Sequence, residues 1–148
     1  MGEPLYDSDF YGWVNQQLDL LRSGNLDEAD IKNIALEIEA MGKNLHRELV
    51  SRLKILLMHL LKWQYQPGLQ SNSWRYTIIG QRAELSDHIN DNPSLKPRIP
   101  AAMERAYRYA LIEATKETGL TIETFPSTCP WTYDQAMSAD FWPADFLQ

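Results

Sequence analysis

His59 and Lys62 stand three residues apart in the run 45–66, LHRELVSRLKILLMHLLKWQYQ, and on a helix that spacing puts both on one face. Histidine titrates near neutrality without perturbation, so His59 could give or take a proton while Lys62 holds an anion. Trp63, Trp74, Arg75 and Arg82 would add an aromatic and basic rim suited to a phosphate, a carboxylate or a nucleotide-like ligand, and Glu37 or Glu39 could join them. The plainer reading, which these residue types favour, is structural: a partly buried histidine bonded to a neighbour, a lysine snorkelling beside it to reach Glu37 or Glu39, and tryptophans that are simply core.

Other chemistries are poorly served. The three histidines fall on two predicted helices and none belongs to a Glu-x-x-His or His-Glu-x-x-His motif; Glu84 and His88, at i, i+4, read as easily as a surface pair. Cys129 lies between Thr128 and Pro130 with no adjacent base. There is no Gly-rich phosphate loop, no nucleophile elbow and no zinc spacing. No metal or cofactor is expected, and whether the chain is an enzyme stays open.

These side chains depend on the helix that carries them. Leu45, Leu49, Leu53, Leu56, Leu57, Leu60 and Trp63 make a broad apolar face at about 100° per residue, and Val50, Met58, Leu61 and Tyr65 extend it around much of the circumference. Such a helix belongs inside a bundle. One polar stripe interrupts it, formed by Glu48, Arg52, His59, Lys62 and Gln66 and broken only by Ile55.

The expected architecture is all-α: a single domain of about five helices around the central helix at 44–66, with a bundle over 1–124 and an irregular tail over 125–148. The first helix should start after Asp7 or Ser8 and stop at Gly24, burying Phe10, Trp13, Val14, Leu18 and Leu21. Asp27 would cap a second, with Ile31, Ile34, Ala35, Ile38 and Met41 on its apolar face. That spacing runs on to Leu45 and Leu49 in phase. A helix from 28 to 66 would be close to 58 Å long at about 1.5 Å per residue, long for a compact domain with a radius of gyration near 15 Å. A break at 42–44 is therefore predicted, with Asn44 as the next cap.

Ser73 should cap a fourth helix striped with Trp74, Ile78, Leu85 and Ile89. Three prolines turn the chain over 90–100, with a short helical piece at 94–97. A fifth helix runs from about Pro100 to Gly119. The tail holds Pro126, Pro130 and Pro143 yet carries Phe125, Trp131, Tyr133, Phe141, Trp142 and Phe146, too many aromatics to leave in water. It should wrap the bundle, with a capping box at 132–135 starting one short helix.

Charge is segregated. The net −6 divides into −6 over 1–44, +2 over 45–91, +2 over 92–118 and −4 over 119–148. Either the acidic ends fold over the basic middle, which is the simpler account, or the middle exposes a patch for an anionic ligand. The acidic balance argues against non-specific nucleic-acid binding. A lone cysteine, an acidic N-terminus without an apolar run, and a central helix interrupted by Arg52, Lys54, His59 and Lys62 point to a cytoplasmic protein without a membrane span.

Several stretches together resemble the bacterial family known as domain of unknown function 29 (DUF29). They are 5–13 (LYDSDFYGW), 20–22 (LLR), 37–39 (EIE) with Met41 and Gly42, 59–67 (HLLKWQYQP), Ser73 with Trp74, Gln81 with Arg82, 92–96 (NPSLK), 117–120 (ETGL), Phe125 with Pro126, and Cys129 with Pro130. The likeness covers nearly the whole chain, and the HLLKW block is its most specific part. Leu36 departs from it, because the family more often has an acid before Glu37. The resemblance implies an all-helical domain and supplies no activity.

Two functions from different classes follow. The favoured one is a non-enzymatic helical interaction or adaptor domain that meets a protein partner, or a second copy of itself, through the aromatic tail or the first two acidic helices. The alternative is an anion pocket or enzyme between the third and fourth helices, using His59, Lys62, Trp63, Trp74, Arg75 and Arg82.

Overall fold

The computed structural model describes residues 4–143. These form α-helices, 3-10 turns and loops, with no strand among the described residues. The chain divides into two compact units, residues 1–45 and 46–148. Phe146, expected among the packed tail aromatics, lies outside the described residues.

The first unit holds α1 (Leu5–Ser8), α2 (Phe10–Arg22) and the opening of α3 (Ile31–Tyr65). Helix α2 begins one or two residues later than expected, because residues 5–8 form a helical turn of their own and the Asp9 carboxylate accepts from Gly12 N at 3.0 Å. Gly24 ends the segment in the left-handed region, φ 78°, where a side chain would be strained. Asp27 is not the next cap. Residues 25–29 turn, and Asp30 caps α3 by accepting from Asn33 N.

Asp30 is held in place from α2. Its backbone N donates to Gln17 Oε1 at 2.7 Å, and its carboxylate accepts from Trp13 Nε1 at 3.1 Å. The hydrogen bond from the Asn33 side chain, with that from Trp13, holds its carboxyl below the usual range. Farther along, Tyr6 donates to Glu37 at 2.7 Å. Numbers rise on one helix as they fall on the other, so α2 and α3 run antiparallel.

Two helices cover only one stripe of each other. Of the face expected to be buried on α2, Trp13 alone is, joined by Gln17; Phe10, Val14, Leu18 and Leu21 stay open.

The predicted break at 42–44 is absent, and α3 runs unbroken from Ile31 to Tyr65. Gly42 keeps a right-handed backbone, since the positive-φ glycines are Gly24 and Gly119, and its apolar neighbours hold helical phase through it. The expectation of a break assumed that one compact body must contain the whole helix. Instead residues 31–45 serve the first unit and 46–65 the second.

In the second unit that half of α3 is the core. Leu49, Leu53, Leu56, Leu57, Leu60 and Leu61 are fully buried; Leu45, counted with them from the spacing, belongs to the first unit and is exposed. Helix α4 (Asn72–Asp91) contributes Ile78, Leu85 and Ile89. It is capped by Ser71, two residues before the expected Ser73, through Trp74 N. Helix α5 (Ile99–Thr118) presents Ala102, Ala106, Ala110 and Ala114, all without exposure. Alanine at every fourth position makes a flat stripe that admits close approach. Gly119, φ 73°, stops α5 as predicted.

Single 3-10 segments at Pro67–Leu69, Pro93–Arg98 and Ile122–Thr124 turn the chain between helices. Thr132 caps α6 (Tyr133–Met137) by accepting from Gln135 N. Phe125 and Trp131 are buried, and Tyr133, Phe141 and Trp142 pack on the core.

Candidate functional site

The polar stripe of α3 is taken up on both sides by neighbouring helices. Glu48 meets His88 Nδ1 at 2.7 Å and Arg52 Nε at 3.6 Å, and Arg52 reaches Glu84 of α4 at 3.6 Å. His88 is therefore a buried partner of Glu48 and not half of a surface pair with Glu84. Lys62 pairs with Glu117 of α5 at 2.6 Å and lies 4.6 Å from the Trp74 ring centroid. Gln66 donates to the carbonyl of Thr118.

His59 is partly buried, with Nδ1 2.8 Å from the carbonyl of Ile55. A carbonyl only accepts, so Nδ1 carries the proton and Nε2 is left as an acceptor. Burial lowers its pKa, and the Lys62 charge lowers it further, against the opposing pull of the Ile55 bond and Glu117. The ring is neutral at pH 7.

Arg75 and Arg82 face the tail. Arg82, 7% exposed, donates through Nε to the carbonyl of Ala136 at 2.8 Å and through Nη2 to that of Phe141 at 2.6 Å. Both guanidiniums lie over Trp142, at 5.3 Å and 5.2 Å, and Trp142 rests against Trp63 at 4.7 Å. Burial pulls the Arg82 pKa below its ordinary value. The tail is thus held by backbone carbonyls and an indole face. No ion pair among the described residues uses its carboxylates; the tail meets Arg75 and Arg82 through carbonyl and cation–π contacts.

His59, Lys62, Trp63, Trp74, Arg75 and Arg82 therefore share one region of the second unit, with Lys62 and Arg82 committed to internal partners. Glu37 and Glu39 belong to the first unit. Glu37 accepts from Tyr6, and Glu39 pairs with Lys43 at 3.0 Å. Neither meets Lys62, contrary to the structural reading of the sequence.

Cys129 borders a concavity of about 470 Å³ with Met103, Tyr107 and Leu111. Its thiol donates to the carbonyl of Trp131 at 3.3 Å, and burial raises its pKa, so the thiolate that a nucleophile needs is disfavoured. Among the described residues no group of three or more His, Cys, Asp or Glu could hold a metal ion, and no helix is long and apolar enough to cross a membrane.

The feature with no internal use lies in the first unit. Phe10, Val14, Leu18 and Leu21 of α2 and Ile34, Ile38 and Met41 of α3 line an apolar groove of about 390 Å³. Phe10, Val14, Leu18, Leu21, Ile38 and Met41 are 37% to 64% exposed. The sequence pattern marks these residues as apolar; that they stay exposed is visible only in the fold.

Residues 5–142 match the family described as Domain of unknown function DUF29. The chain belongs to the DUF29 family. No curated protein and no solved structure matches it. The motif blocks of this DUF29 chain have structural duties: the 5–13 block supplies Tyr6 and Trp13 to the contacts with α3 and Asp9 to the cap of α2, and Trp63, Tyr65 and Arg82 hold the tail.

Proposed function

We propose that this DUF29 chain is a non-enzymatic interaction module whose first unit receives an amphipathic helix of a protein partner. The observation that carries the reading is the open groove between α2 and α3. A contiguous apolar surface of this kind, rimmed by polar residues, is characteristic of interaction sites. From Phe10 to Leu21 it runs about 16 Å, or three helical turns. A helix with apolar anchors at i, i+4, i+7 and i+11 would complete a three-helix bundle.

Charge selects the occupant. Residues 1–45 carry nine acids and three bases, whereas 46–148 carry eleven of each, so the whole net −6 belongs to the first unit. A second copy would bring like charge against like, whereas a helix with lysine or arginine flanking its anchors is attracted. The described tail aromatics, the other candidate surface, are buried in or packed against the core of the second unit. A lone cysteine fits a reducing, cytoplasmic setting for such a module.

The test is fluorescence anisotropy with two designed peptides that share the apolar anchors but carry lysine or glutamate flanks, together with sedimentation of the protein alone. The lysine peptide should bind saturably, at least about tenfold tighter than its acidic twin, and Leu18→Glu or Ile38→Glu should abolish binding while leaving the melting curve unchanged. No binding of the lysine peptide, or a dimer dissolved by Leu18→Glu, would overturn the assignment.

A further inference from the structure

A second surface, on residues 46–148, collects cations with no anion among the described residues that line it. On α3, Arg47, Val50, Ser51 and Lys54 follow one another at i, i+3, i+4 and i+7 and so form one stripe; on α5, Arg105 and Tyr109 stand at i, i+4. The two stripes line a concavity of about 310 Å³, at the low end of the roughly 300–1,000 Å³ of small-molecule sites. No carboxylate among the described residues lines it. None of the ion pairs among the described residues uses Arg47, Lys54, Arg105 or the adjacent Arg108. By contrast Arg52, Lys62 and His88 of the same unit all face a glutamate.

The positive field there is visible in its neighbour. Arg105 and Arg108 lie beside the Tyr109 phenolic oxygen and hold its pKa below the ordinary value, with Arg108 Cζ 5.5 Å from the ring centroid. Like charges that line one concavity repel one another, and a dianion seated among them relieves that repulsion. The donors fit one class of anion. Two planar guanidinium forks, an ammonium, the Ser51 hydroxyl and the Tyr109 phenol can together serve an anion with three acceptor oxygens and a charge between about −1.5 and −2 at neutrality, which describes a phosphate monoester. A carboxylate offers two oxygens and one charge.

We propose that the concavity between α3 and α5 binds a phosphate-monoester group, held by Arg47, Lys54 and Arg105 with hydrogen bonds from Ser51 and Tyr109. The chain's acidic balance disfavours a long polyanion, and a concavity of about 310 Å³ suits a single phosphoryl group. That group could be carried by a free small molecule or by a lipid headgroup.

Calorimetric titration of the full chain with inorganic phosphate and with glycerol phosphate, at constant ionic strength, tests the free form. Flotation with phosphatidylcholine vesicles, with and without phosphatidic acid, tests the lipid form. Wild type should saturate in at least one arm. Lys54→Gln with Arg105→Gln should weaken that binding by about tenfold or more, as expected for lost charge-assisted contacts, whereas Arg98→Gln, outside the concavity, should not. Binding should also raise the phenol pKa seen in ultraviolet titration, an effect absent in Tyr109→Phe. Arg47→Gln, at an exposed position, repeats the test should the double variant lose helix content. A response confined to phosphatidic-acid vesicles and lost in the variants assigns the phosphate to a lipid. No saturation in either arm, or saturation equal in wild type and variants of unchanged helicity, overturns the site.

Discussion

Replacing Arg82 with methionine should release the tail from α4. The side chain makes two hydrogen bonds to tail carbonyls, 2.8 Å and 2.6 Å, and a cation–π contact with Trp142. Hydrogen bonds to charged groups contribute about 1.5–3 kcal/mol each, and a desolvated cation–π contact adds about 1–2 kcal/mol. Against this, methionine escapes the cost of burying a guanidinium, several kcal/mol, which is also the reason the Arg82 pKa falls. The balance is a loss of about 3 kcal/mol, or roughly 10–20 °C in melting temperature. Urea unfolding followed by tryptophan fluorescence measures the total. Hydrogen exchange locates it: amides of α6 should lose protection while those of α3 from residue 49 onward keep theirs. A methionine variant that unfolds within about 0.5 kcal/mol of wild type, with α6 still protected, would refute the anchoring argument.

Two further perturbations separate competing readings. Gly42→Ala should stabilise the chain by about 0.5–1 kcal/mol, because the site is helical, its added Cβ meets nothing within 4 Å and alanine loses less entropy there; a chain that needed glycine to bend at 42–44 would be destabilised instead, and thermal melting decides. For His59 the folded pKa lies below the unfolded value of about 6.5. Its contribution to stability is full above that value and is lost as pH falls through the folded pKa. The denaturant midpoint of wild type should therefore drop between pH 7 and pH 5 more than that of His59→Gln, and equal drops would show that the ring does not titrate with folding.

The interior was the most legible part. Leucines at 49, 53, 56, 57 and 60 place one helix face in a core because burying each is worth about 1.5–3 kcal/mol, and no other arrangement of that spacing recovers it. Stop signals with a local physical cause were equally readable: Gly24 and Gly119 each occupy a left-handed backbone that other residues resist, and Thr132 caps a helix with its own hydroxyl. The start of α3 was missed because Asp27 and Asp30 are chemically the same cap, and the choice between them falls to Trp13 and Gln17 on another helix.

Side-chain partnership across helices lay beyond the sequence. Lys62 was read beside Glu37 or Glu39 but pairs with Glu117, and Arg82 binds carbonyls 54 and 59 residues away, distances in chain that no local period encodes. Leu49 and Leu18 have the same apolar character and the same helical spacing. The first is fully buried in a core that α4 and α5 share, the second is exposed on the first unit. Hydrophobic pattern is a property of one segment and is fixed by composition and period. Whether that pattern ends as core or as a docking face depends on how many other segments arrive to cover it, which only the assembled chain determines.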